Sequence, residues 1–151
     1  PAKIESLKDL ARPKLKLVLA DKAVPVGKYA LNMLDRMAAS AEYGAAFKDQ
    51  VLANVVSQEE NVKAVVAKIR LGEGDAGVVY VSDTVGKDGE QLVSLPVPDA
   101  YNQIAVYPIA PVAKSARKEL AVQFIEAVLS PSGKAVLAKH GFQIQEKPAE
   151  K

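Results

Sequence analysis

The chain has 151 residues, enough for one well-buried core, and carries 20 Lys and Arg against 18 Asp and Glu, a formal net charge of +2. The two signs are interspersed, aromatics are 5% of residues and Trp is absent, so no basic stripe with aromatic platforms marks a nucleic-acid surface. With no cysteine, disulfide and thiolate chemistry are excluded, and no apolar run approaches the roughly 20 residues that span a bilayer.

The chain opens at Pro1 without methionine and is charged from its first residues, so it is expected to be a processed, excised or engineered piece with no signal segment of its own. Ser6-Leu7-Lys8-Asp9 has capping-box spacing and predicts a short helix that Pro13 ends. Leu15 to Ala20 is a strand, Pro25-Val26-Gly27 a tight loop, and from Lys28 the apolar residues Ala30, Met33, Leu34 and Met37 recur at helical spacing. A short helical piece is predicted from Ala38 to Phe47, and the β-branched run Val51 to Val56 predicts a second strand.

Ser57-Gln58-Glu59-Glu60 reads as a capping box opening a helix whose buried face is Val62, Val65, Val66 and Ile69, closed by Gly72. Ala76 to Val81 is a continuous apolar strand, Ser82 to Gly86 one helical turn, Lys87-Asp88-Gly89-Glu90 a turn, and Leu92 to Val97 a further strand. Gln103 to Ala110 predicts one more strand, at an edge because of Pro108. Two helices then follow, Ser115 to Leu129 and Ser130-Pro131 to His140, the second with a proline at its first helical position and Gly141 as its stop. A polar tail runs from Gln145 to Lys151. Strands alternating with helices predict an α/β fold, a doubly wound and mostly parallel sheet flanked by helices.

In such sheets ligands bind beyond the carboxyl ends of the strands. Asp21 to Gly27, Ser57 to Val62 and Tyr80 all follow strand ends. If those strands are neighbours, backbone N–H groups near Val26 and Gly27 and near Asn61 and Val62, with the Tyr80 hydroxyl, converge on a pocket suited to a tetrahedral oxyanion. Every doubly wound domain puts helix N-termini at that edge, so the loops read equally well as structural, and Tyr80 as a strand-end aromatic. A carboxylate inside the site would repel an anion: Glu60 is held aside if the capping box forms, and Glu59 is expected to face solvent.

The motifs V-P-V-G-K-Y-A at Val24 to Ala30, S-Q-E-E-N-V at Ser57 to Val62 and A-G-V-V-Y-V-S-D at Ala76 to Asp83 resemble the periplasmic molybdate-binding receptors of ABC importers. Y-P-I-A at Tyr107 to Ala110 and H-G-F at His140 to Phe142 extend the match, in order, from about Ser6 to Phe142. The resemblance implies a type II periplasmic-binding-protein fold whose two lobes close on molybdate or tungstate, with the permease as partner and a periplasmic or extracytoplasmic location. It implies that the second-lobe contacts are the backbone N–H groups of Val26 and Val62 and the side chain of Tyr80. Nothing in the chain matches the family's opening sheet and its serine hydroxyls. Residues 1–104 therefore resemble the second, ligand-binding lobe, and 105–151 the hinge-return strand and C-terminal helices of the first. Without that first lobe, the apolar faces of the last two helices predict self-association or rearrangement.

His140, the one histidine, reads as a helix-end cap and makes no metal site alone. No nucleophile-elbow motif surrounds Ser82, which argues against a triad with Asp83 and His140, and no P-loop or calcium-loop spacing is present. The chain is expected to be no enzyme, to need no cofactor, and to bind an oxyanion. The alternative is a ligand-sensing effector domain of a regulator that binds another small anion.

Overall fold

The computed structural model describes residues 2–87 and 89–144. Among these residues the elements are three strands, β1 (Leu17–Ala20), β2 (Val55–Glu59) and β3 (Ala76–Gly77), and five helices, α1 (Pro25–Ala38), α2 (Phe47–Leu52), α3 (Val62–Arg70), α4 (Lys118–Leu129) and α5 (Pro131–Lys139). Two 3-10 turns cover Leu7–Ala11 and Val81–Thr84. The chain divides into two compact units, Pro1–Ile104 and Ala105–Lys151.

The first unit is an α/β layer structure built on β1. All four residues of β1 are buried, and both of its neighbours are parallel to it in the order β2-β1-β3. Alternation along the strand sends successive side chains to opposite faces. Leu17 joins a core with Leu10, Leu15, Met33, Leu34, Met37, Phe47 and Val51, which brings α1, α2 and the Leu7–Ala11 turn onto one face. Val18 and Ala20 pack with Val65 of α3 on the other. A strand covered on both faces has no polar side to present, which is why it reads as an unbroken apolar run.

Several expected elements shift. Val51 and Leu52 belong to α2, not to a strand, because Phe47 and Val51, one helical turn apart, bury the same face. The stretch from Ala39 to Ala46 is turns rather than helix, with Gly44 at a left-handed φ of 80°. The second strand begins at Val55 and runs through Glu59, so Ser57 lies inside it and no capping box forms there. The helix starts instead at Val62, capped by Asn61. Only Ala76 and Gly77 of the expected third strand join the ladder. Leu92 to Val97 and Gln103 to Ala110 form no strand among the described residues; Pro96, Pro98 and Pro108 carry no N–H to donate to a ladder. The turn expected around Asp88 includes a residue outside those described, and the Gln145 to Lys151 tail lies wholly outside them.

Helix ends follow local chemistry. Asp9 accepts the Ser6 N–H at 2.9 Å, as the opening motif predicts. At the end of α3, Gly72 has φ 74°, its N–H donates to Ile69 O at 3.0 Å and that of Glu73 to Lys68 O at 3.0 Å, the paired bonds of a Schellman stop. In the second unit Ser130 closes α4 and opens α5: its hydroxyl donates to Ala127 O at 2.7 Å and accepts from Gly133 N at 3.2 Å, with Pro131 at the first helical position. Gly141 repeats the Schellman stop, and the Phe142 and Tyr107 rings meet edge to face at 5.7 Å. No single helix among the described residues is long and apolar enough to cross a membrane. Leu120 and Phe124 on α4 are 59% and 63% exposed.

Candidate functional site

Register builds the site. Ala20 and Glu59, the last residues of β1 and β2, are ladder partners, and one residue further on the Asp21 N–H donates to Glu59 O at 2.7 Å. α1 and α3 therefore start from the same sheet edge. Gly77 of β3 is level with Val18, and Tyr80, three residues on, packs against the cluster of Val18, Ala20, Val26 and Val65.

Each helix start is shaped by one short polar side chain. Asp21 accepts the Ala23 N–H on Oδ1 at 2.8 Å and the Val24 N–H on its carbonyl at 2.9 Å, turning the chain back into α1. Pro25 has no N–H, and the first intrahelical bond runs from Lys28 N to Val24 O at 3.1 Å. The N–H groups of Val26 and Gly27 fall between, and no side chain caps them. In α3 the Asn61 Oδ1 accepts the N–H of Ala64, the third helical residue, at 2.9 Å, leaving the N–H of Val62 to the first position. Both helices thus present the positive end of their dipole here.

Of the five residues singled out in the sequence, Val26, Val62 and Tyr80 share one apolar cluster with Val18, Ala20 and Val65. Gly27 follows Val26 and is buried. The Asn61 side-chain oxygen is used as the cap of α3. The Tyr80 ring stands edge-on to that of Tyr29, centroids 6.4 Å apart and planes at 68°. Sequence reasoning missed Asn61 as the cap, although asparagine is among the strongest N-cap residues and directly precedes the apolar-periodic run.

Glu59 does not face solvent. Its side chain is 13% exposed, and its Oε1 lies 2.8 Å from Lys68 Nζ. Ser57 hydrogen-bonds to the same carboxylate and receives a bond from Lys68 at 2.8 Å. The Lys68 bond, then that of Ser57, holds the Glu59 carboxyl below its usual range, while Glu59 pushes Lys68 upward. The Glu59 carboxylate is therefore paired in place, which lessens the repulsion it would offer an anion, while Asp21 and the exposed Glu60 remain beside the helix starts. A depressed carboxyl stabilises the fold above its ordinary value of 4.5 and loses that contribution as pH falls; a raised ammonium stabilises below 10.5 and loses it as pH rises. The triad is at full strength between those values. Lys68→Met should lower the melting temperature within this window and flatten its decline below pH 4.5, read by thermal melting across pH; a decline as steep as in the unsubstituted chain would show that other carboxylates cause it.

Among the described residues no group of three or more His, Asp or Glu side chains is placed to hold a metal ion. His140 caps α5 in the second unit, while Ser82 and Asp83 belong to the first.

The profile of the bacterial extracellular solute-binding proteins matches residues 1–143. The chain belongs to that family. Among curated relatives, the molybdate-binding protein ModA of Mycobacterium bovis and that of Mycobacterium tuberculosis are each 32% identical over 142 residues, 94% of this chain and 49% of theirs. A putative ABC transporter substrate-binding lipoprotein, YvgL of Bacillus subtilis, is 26% identical over 139 residues, 92% of this chain and 50% of its own. The chain spans about half the length of the curated relatives it matches. No solved structure gives a significant match. The resemblance in the sequence motifs is borne out at the level of the family, whose members are named for binding solutes rather than for catalysis.

Proposed function

We propose that this family member is part of the solute receptor of an ABC importer and that it binds a tetrahedral oxyanion, molybdate or tungstate. The observation that carries the proposal is the register match of Ala20 with Glu59, which starts α1 and α3 from one edge with the Val26 and Gly27 N–H groups uncapped. The similarity to ModA supports the choice of ligand. In this reading Val26, Gly27 and Val62 donate from the backbone and the Tyr80 hydroxyl donates from the side chain. Asn61 acts by fixing the first turn of α3. Residues 1–104 are the ligand-binding lobe, and 105–151 are the return segment and helices of the other lobe.

The chemistry is binding without turnover. The donors are neutral dipoles, which hold a dianion without a matching cation and release it unchanged. No resident cofactor is required, the receptor works outside the cytoplasm, and an importer permease takes the anion from it.

Calorimetric titration with molybdate, tungstate, sulfate and phosphate tests the reading, on this chain and on a form rejoined to the other lobe. Weak molybdate or tungstate binding that tightens on rejoining is expected. Tyr80→Phe should weaken it about tenfold, the worth of one hydrogen bond to a charged group. No oxyanion binding in the rejoined protein would overturn the proposal and favour the effector-domain alternative.

A further inference from the structure

A phenol contributes to anion binding only if its hydroxyl is held at one place, yet the sheet does not hold Tyr80. The ladder of β3 ends at Gly77, and residues 78–80 have no strand pairing. Asp83 and Tyr29 are among the residues that contact it. Asp83 Oδ2 accepts the Tyr80 N–H at 3.1 Å while the Asp83 N–H donates to Tyr80 O at 3.0 Å, a reciprocal pair around one tight turn. Thr84 Oγ1 closes that turn on Val81 O at 2.8 Å. The Tyr29 ring, on α1 two residues after Gly27, packs against the Tyr80 ring at a steep angle.

Asp83 also faces α3. It and Lys63, the residue after Val62, line one groove of 260 Å³, and burial pushes the Asp83 carboxyl up while the Tyr80 N–H and then Lys63 draw it down. Asp83 therefore bonds the Tyr80 backbone and shares a groove with Lys63 of the first turn of α3.

We propose that Asp83 and Tyr29 are positioning residues, which hold Tyr80 where its hydroxyl meets the anion bound at the starts of α1 and α3. The inference rests on the oxyanion reading above. Its test is a molybdate titration of Asp83→Ala, Asp83→Asn and Tyr29→Ala, each with Tyr80 present and with Tyr80→Phe. Asp83→Ala should weaken binding about fivefold, the worth of one hydrogen bond. Asp83→Asn should stay within about twofold, because its amide oxygen still accepts the Tyr80 N–H. In the Tyr80→Phe background neither Asp83→Ala nor Tyr29→Ala should cost anything further. Unchanged affinity of Asp83→Ala and Tyr29→Ala, or the same loss with Tyr80→Phe, would overturn the inference and leave the oxyanion reading standing. Absence of molybdate binding by the unsubstituted protein would overturn the oxyanion reading itself.

Discussion

Gly27→Ala should destabilise the protein by about 2–3 kcal/mol, the usual cost of forcing atoms into a packed site, although alanine in a helix interior ordinarily gains up to about 1 kcal/mol over glycine. The reason is a close approach of backbone to backbone. A Cβ on Gly27 would lie 2.2 Å from Asp21 O and 2.5 Å from Ala20 O. Those carbonyls cannot yield cheaply, since the Asp21 N–H is bonded to Glu59 and its carbonyl receives the Val24 N–H. The start of α1 must move instead, carrying the Val26 and Gly27 N–H groups away from α3. Urea unfolding reads the loss of stability, and molybdate titration should show binding at least about tenfold weaker. Alanine as stable as glycine would mean that the turn after β1 does not press on the helix.

Asn54→Ala should cost about 2–4 kcal/mol. Asn54 is 7% exposed, and its Nδ2 donates to Leu10 O at 2.9 Å and Arg12 O at 2.8 Å, tying the N-terminal segment to the approach of β2. Truncation leaves two carbonyls without that donor, each costing about 1–3 kcal/mol if no water replaces it. Asn54→Asp should be worse at neutral pH, because an ionised carboxylate has no hydrogen to donate and faces two carbonyl oxygens. Burial raises the carboxyl of that variant, so the penalty is present at neutral pH and eases as pH falls and the group takes up a proton. Midpoints of urea unfolding at pH 7 and pH 5 check both statements. A midpoint for Asn54→Ala equal to that of the unsubstituted chain would show that the N-terminal segment is held by its apolar contacts alone.

Much of the local structure was legible because its causes are local. Ser130-Pro131 opens α5, Gly72 and Gly141 stop their helices, and Met33, Leu34 and Met37 face the core, all from neighbouring residues and helical spacing. The errors fall where one pattern fits two structures. Val51 to Val56 is apolar and β-branched, yet it is split between α2 and β2, and Ser57 to Glu60 has capping-box spacing but begins within a strand. Two apolar runs, Leu92 to Val97 and Gln103 to Ala110, have no ladder partner among the described residues.

By itself, the sequence determined the α/β class, the helix stops, the family motifs and the candidates Val26, Gly27, Asn61, Val62 and Tyr80. Tertiary structure alone decided that Ala20 pairs with Glu59, that Val26, Val62 and Tyr80 share a cluster, that Lys68 and Ser57 hold Glu59, and that Asp83 and Tyr29 flank Tyr80. Helix caps depend on residues three or four apart. The site depends on strand order and register, which bring together residues from Ala20 to Asp83 and leave no periodicity in the chain.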